Sequence, residues 1–541
     1  MLKKSHFLGG AIILTIAGFL SKIIGMFYRI PLQDIVGDSG LGLYQEVYPL
    51  YLAFLNLATA GVPIALSRII AEALAEGNTG KVQQILARSL LLMSVIGTAL
   101  FSLLYFSSPL IALAMGNLHL VEPIRAISLS LLFVPLIAVL RGYFYGCQKM
   151  MVVGLSQVVE QTLRVVLIML TAGYLVKLGE DTDSVIAGVN FGTMISTVIS
   201  LLFLFLLLGW QQRSSRLTLD PRWKDWRWWI DRRFFLNMWK ISWPICVGAL
   251  AIPIFSLVDS FLAINIFRYV WRVDGVTADA WFGVYSRGGP LLQLASLFGA
   301  SIALSIVPAI AEAKRKHDED RVRTLSRISF RFAWLLGLPA GLGLTGIAEG
   351  ANLALYGDLE GTRAMAILAV SAIPLSMLLA TNGVLQGLGK ENVPALHLLW
   401  GVGVKIVTTL VFASLFGIDG LSLSWLAAST FVWLLNMRSI RKLVKSEQNW
   451  AFDYIYPLIA ANVMLLCTWT ATIGCQYWLH GISARLLGAA ETVIGIAVGM
   501  IVYIGLLVAI PLLEPRELDW LPGGNVVRKF AGFLRKRRTE Q

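Results

Sequence analysis

The chain has 541 residues, of which 57% are hydrophobic and only 14% charged, and its mean hydropathy is +0.72. A soluble domain carries roughly a quarter charged residues, so this composition excludes an ordinary water-soluble enzyme. The formal net charge of +13 raises nucleic-acid binding, but the distribution of that charge argues against it.

Apolar runs of about 20 residues, the length that crosses a bilayer, recur from end to end. Fourteen spans are predicted, near 6–33, 41–74, 84–108, 122–146, 153–177, 184–209, 238–270, 281–313, 328–348, 363–388, 393–416, 419–440, 453–478 and 483–513. The first run is too long for a signal-peptide core and has no small-residue cleavage motif, so it is expected to stay in the mature protein. Cationic residues fall in alternate loops: Lys3 and Lys4, Lys81 and Arg88, Lys149, 213–233, 314–327, Lys390, 438–445 and 528–538. The loops between them are acidic or nearly neutral, with Asp34 and Asp38, Glu180, Asp181 and Asp183, Asp358 and Glu360, and Asp419. That alternation is the positive-inside pattern, and it places both termini in the cytoplasm. The basic surplus then serves topology and anionic lipids, not nucleic acid. Cys147, Cys246, Cys467 and Cys475 lack metal-ligand spacing and are assigned no chemistry.

Taken in order, spans one to six form an N-terminal lobe over 1–209, opening with a hairpin around an Asp/Gly-rich turn. Lys22 and Arg29 in its first helix are seven residues apart, about 20° from sharing a face. Glu46 lies about a turn into the second helix. A connector over 210–237 follows, in which Trp223, Trp226, Trp229 and Ile230 alternate with Arg222, Lys224 and Arg227. Its pattern suits a helix in the headgroup layer, read either as a linker or as a partner site. Spans seven to twelve, over 238–445, repeat the first six at an offset of 241 residues. Gly42, Tyr44 and Pro49 answer Gly283, Tyr285 and Pro290; Gly142, Gly146 and Lys149 answer Gly383, Gly387 and Lys390; Arg164 answers Lys405. Six spans per copy give a parallel repeat, an arrangement typical of transporters. Spans 13 and 14, over 446–513, have no counterpart, and a basic tail over 514–541 closes the chain on the cytoplasmic leaflet.

Charges within apolar spans cost about 2.5–3.5 kcal/mol each on insertion scales and usually face a bundle interior or a wet cavity. The repeat makes Glu46 and Arg287 equivalent, a role in a cavity or its outer gate competing with a static ion pair. Gly288, Gly289 and Pro290 after Arg287 predict a break in the helix. Lys22 sits ~24 Å into its span and reads as a cavity cation; Arg29, nearer the surface, reads as a cavity cation or a snorkelling side chain. Asp259 either neutralises one of these cations or binds a coupling Na⁺ or H⁺. Glu160 lies four residues before Arg164, an ordinary helical pair, whereas Lys405 has no such neighbour and is moved towards the cavity. Arg68, Arg125 and Arg141 read as interfacial anchors. Buried cations outnumber buried carboxylates, which suits an anionic substrate.

Ser21-Lys22-Ile-Ile-Gly25, Arg29-Ile-Pro31, Gly42-Leu-Tyr44-Gln45 and Ala60-Gly61-Val-Pro63-Ile-Ala-Leu-Ser67 resemble the MurJ/SpoVB/polysaccharide-flippase branch of the multidrug/oligosaccharidyl-lipid/polysaccharide exporter superfamily, and within it the Gram-positive lipid II flippases. The resemblance covers the whole chain. It implies an all-α transporter with no catalytic centre, two V-arranged lobes, a cationic cavity for diphosphate and sugar, and an apolar groove beside the last two helices for a polyprenyl tail. The family's cavity arginines correspond best to Lys22, Arg29 and Arg287. This chain has Lys where Gram-negative members have Arg in the first span, and no counterpart of their second-span arginine near Tyr48 and Pro49.

The expectation is therefore a bacterial plasma-membrane flippase, monomeric and without a cofactor. It would move an undecaprenyl-diphosphate-linked saccharide, foremost lipid II, to the outer leaflet by alternating access, driven by membrane potential or by coupled Na⁺ or H⁺. Lys22, Arg29, Glu46, Arg287 and Lys405 are the expected substrate contacts, and Asp259 is the ion-coupling candidate. The rivals are a flippase for another lipid-linked glycan, a drug/cation antiporter, a membrane enzyme acting on lipid-linked sugars, and a structural role without transport. An antiporter calls for an acidic cavity; an enzyme calls for clustered carboxylates or metal ligands.

Overall fold

The computed structural model describes residues 14, 16–26, 28–214, 231–444, 451–479 and 481–509. The centre of the tryptophan-rich connector and the whole basic tail lie outside them. All regular structure among the described residues is helical, as the apolar periodicity requires. Thirteen stretches among them are long and apolar enough to cross a membrane. The first, Ile16–Ala75, covers 60 residues, far more than the roughly 20 that one crossing uses. It is broken at Gly37, where φ is 70° and ψ −179°, a conformation that favours glycine. That break is the Asp/Gly-rich turn expected from the sequence, so this stretch supplies the first two spans.

The chain divides into two compact units, Met1–Val284 and Tyr285–Gln541. In the first, α1 (16–26) leads to α2 (Arg29–Thr59), α3 (Val62–Ala75), α4 (Thr79–Met115), α5 (Val121–Ser128), α6 (Val134–Gly146), α7 (Met150–Leu178), α8 (Thr182–Ser214), α9 (Arg232–Ala249) and α10 (Ala251–Tyr269). The unit also holds most of α11 (Gly275–Ser286). One apolar core gathers Leu32, Tyr44, Val47, Tyr51, Leu104 and Ile168; a second gathers Leu66, Ile70, Leu86, Leu140, Phe144 and Leu204. Helix α10 packs on α2, which groups it with the first unit.

The second unit runs through α12 (Gly289–Arg315), α13 (Glu319–Gly346), α14 (Ala348–Tyr356), α15 (Thr362–Val370), α16 (Ala372–Gly387), α17 (Asn392–Phe416), α18 (Ile418–Leu443), α19 (Tyr456–Trp478) and α20 (Ala484–Ala509). The interruption between α11 and α12 falls at Arg287 and Gly288, the predicted break. The two helices without a counterpart, α19 and α20, pack on α13 through Leu338, Ala461, Met464 and Leu507. Tyr503 Oη donates to the Leu335 carbonyl at 2.9 Å, so the phenol's polar end is satisfied within this apolar packing.

The repeat is visible in the backbone of each unit. Left-handed residues recur 241 positions apart, Gly116 with Gly357 and Gln148 with Gly389. The turns before α4 and α13 also match. Gly77 and His317 have φ of 70° and 54°, and the next residue caps the helix: Asn78 accepts the Lys81 N–H and Asp318 the Arg321 N–H, both at 2.9 Å.

Candidate functional site

Tyr44, Tyr48 and Tyr51 are spaced four and three residues apart on α2, which places them on one face. Tyr44 and Tyr48 stack with ring centres 5.6 Å apart, and Tyr28 and Tyr44 share a hydroxyl–hydroxyl hydrogen bond of 2.7 Å. Arg29 opens the same helix. It is only 5% exposed, and its guanidinium carbon lies 5.5 Å from the centre of the Tyr48 ring. Among the described residues its Nε is buried and has no hydrogen-bond partner.

Helix α7 brings a second cation to these tyrosines. Glu160 accepts from Arg164 at 2.5 Å, forming the pair read from the i,i+4 spacing. It also accepts from Arg141 of α6 at 2.8 Å, and Arg141 Nε donates to Ser156 at 3.0 Å. Arg141, expected as an anchor, is thus part of an internal network. Arg164 lies close enough to Tyr48 and Tyr51 to interact with both. Its Nε is another buried donor without a partner among the described residues. Two arginines share Glu160, and Arg29 stands against Tyr48, so the tyrosine-lined setting carries a positive surplus. Such groups can take an anion by charge-assisted hydrogen bonds.

Each of the other expected site residues has its own surroundings. Lys22 is exposed on α1, three residues before Gly25, which packs against Gln161 of α7. Asp259 is buried on α10, with 1% exposure. Glu46 is fully buried beside Asn117 and Asp279, within the first unit. In the second unit, Arg287 forks onto Asp358 with distances of 2.6 and 3.1 Å, and its guanidinium lies 4.9 Å from the Tyr356 ring centre. Lys405 on α17 is fully buried; its Nζ donates to Ser424 Oγ of α18 at 2.5 Å and lies 5.3 Å from the Trp425 ring centre.

Sequence reasoning missed Asn117, Asp279 and Glu491 altogether and read Asp358 only as a loop charge. Asp279 sits five residues into α11 in an apolar stretch, a signal that could have marked it. Glu491 is likewise a lone carboxylate in the last span, fully buried in the structure. Among the described residues, no group of three or more His, Cys, Asp or Glu side chains could hold a metal ion.

A family model described as "Polysaccharide biosynthesis protein" matches residues 7–314. The chain is 30% identical to the "Uncharacterized membrane protein YabM" of Bacillus subtilis (strain 168), over 99% of this chain and 98% of that one. It is 25% identical to the "Lipid II flippase MurJ" of the same organism, over 93% of this chain and 95% of the relative. Among solved structures, "Lipid II flippase MurJ, inward closed conformation" superposes with a TM-score of 0.64 at 15% identity, covering 92% of this chain and 99% of that one.

Proposed function

Since the chain belongs to the polysaccharide biosynthesis protein family, a multi-pass membrane protein with helices of spanning length, we propose that it is a flippase for a lipid-linked saccharide. The substrate we assign is undecaprenyl-diphosphate-linked, foremost the peptidoglycan precursor lipid II, moved from the inner to the outer leaflet of the bacterial plasma membrane. Both termini would face the cytoplasm, and the protein would act by alternating access, as a monomer and without a chemical step.

One observation carries this reading beyond the family. Arg29 and Arg164 are buried among tyrosines and each has an unused Nε donor among the described residues. A diphosphate supplies the acceptors such donors lack, and the tyrosine hydroxyls can add neutral hydrogen bonds to phosphate or sugar. A cationic drug would meet repulsion at the same place. We assign first contact with the diphosphate to Arg29 and Arg164, with Lys22, Arg287 and Lys405 as further cations along the route. Asp259 is the candidate for a coupling Na⁺ or H⁺; membrane potential is the other available drive, worth about 2.3 kcal/mol per charge per 100 mV.

The test is rescue of a bacterium depleted of its own lipid II flippase. Wild type is expected to restore growth, and membrane-inserted Arg29→Ala and Arg164→Ala are expected to fail. Absence of rescue by wild type, with another lipid-linked glycan accumulating in a deletion strain, would move the substrate to that glycan.

A further inference from the structure

Glu46 of α2 is fully buried and Asp279 of α11 is 5% exposed. Their carboxyl groups are close enough to act on each other. Asn117 serves both: its Nδ2 is 2.9 Å from Asp279 Oδ1 and 3.4 Å from Glu46 Oε2. The opposite end of that amide is engaged, because Asn117 Oδ1 accepts the His119 backbone N–H at 3.2 Å. That bond fixes how the amide faces, so Asn117 presents N–H donors and no oxygen to the pair. Among the described residues, Glu46 Oε1 is buried with no hydrogen-bond partner.

Two adjoining buried carboxylates repel strongly if both are ionised, and a single shared proton removes that repulsion. The proton also supplies the hydrogen bond that Glu46 Oε1 lacks. A hard cation would need a shell of oxygen ligands, and here the neighbouring amide offers nitrogen. The remaining charged or titratable neighbours come from each surrounding element. His119 follows Asn117 and lies 3.3 Å from Asp183; Arg268 of α10 donates to the Gly116 carbonyl; Asp274 caps α11 through Thr277. His119, Arg268 and Asp274 all act on Asp279.

We infer that Glu46 and Asp279 form a proton-binding site, holding one proton between them, and that this proton latches α2 to α11. The latch lies one helical turn from Gly42, where the two helices make backbone contact. Loss of the proton sets two buried like charges against each other and loosens that contact. A link between the latch and translocation rests on the flippase reading; the proton and the latch do not.

The full-length protein in detergent micelles allows the test. Infrared difference spectra between mildly acidic and mildly alkaline buffer should show a carboxylic-acid carbonyl band, shifted in D₂O, that is lost in Glu46→Gln and in the Glu46→Gln/Asp279→Asn double variant. Hydrogen–deuterium exchange, corrected for its intrinsic pH dependence, should rise over 38–48 and 275–284 in alkaline wild type and stay flat in either variant. A wild-type band that both variants retain, or that Na⁺ removes at constant pH, overturns the shared proton. An equal rise in exchange in wild type and variants overturns the latch. Neither readout depends on transport.

Discussion

Gly42 and Gly283 meet where α2 crosses α11, each against the carbonyl of the residue four positions before the other. A Cβ on Gly42 would stand 1.9 Å from the Asp279 oxygen, and one on Gly283 would stand 2.1 Å from the Asp38 oxygen. The two glycines are repeat-related, so the crossing is locally self-complementary. Backbone oxygens cannot swing aside as side chains do. Gly42→Ala is therefore expected to destabilise the purified protein by about 1–3 kcal/mol or more. Gly173→Ala, where nothing lies within 4 Å of the added carbon, should leave the melting temperature in detergent nearly unchanged.

Glu160 bridges two arginines. Its side chain is 12% exposed, and those of Arg141 and Arg164 are 17% and 13% exposed. Glu160→Gln removes the shared counter-charge and leaves two largely buried cations in the same region. A loss of about 3–5 kcal/mol is expected, with part of it recovered in Glu160→Gln/Arg141→Gln. Thermal melts of the three proteins check this.

Lys405 and Ser424 form a pair whose halves need each other. Ser424→Ala removes one acceptor from a fully buried ammonium, and about 1.5–3 kcal/mol should be lost. Lys405→Met/Ser424→Ala replaces both by apolar groups of similar shape and should recover most of that stability. A double-mutant cycle on melting temperature reads the coupling directly.

The Arg287 side chain has no exposure, while its partner Asp358 is 40% exposed. Solvent at the carboxylate weakens the pair, so Asp358→Asn should cost about 1–2 kcal/mol. Arg287→Lys should behave similarly, because an ammonium cannot fork onto both carboxylate oxygens. Matched thermal melts distinguish this from a larger, packing-driven loss.

What the sequence made legible depended on range. The turn at Gly37, the break after Arg287, the 241-residue repeat and the Glu160–Arg164 pair each arise from neighbours in the chain or from periodicity. Asp279 meets Asn117 across 162 residues, and Arg287 meets Asp358 across 71, so helix packing alone brings these partners together. The same limit hid the partner of Lys405, because its bond to Ser424 crosses from one helix to the next. Composition could report a surplus of buried cations. It could not say that Arg29 and Arg164 would gather around the tyrosines of α2.

The proposed translocation depends on those two arginines receiving a diphosphate. The direct measurement is the outer-leaflet exposure of lipid II in cells whose only flippase is this protein, comparing wild type with Arg29→Gln/Arg164→Gln at matched membrane abundance. Each lost charge-assisted hydrogen bond is worth about 1.5–3 kcal/mol, so exposure should fall by roughly tenfold or more. Undiminished exposure in the double variant would contradict the account.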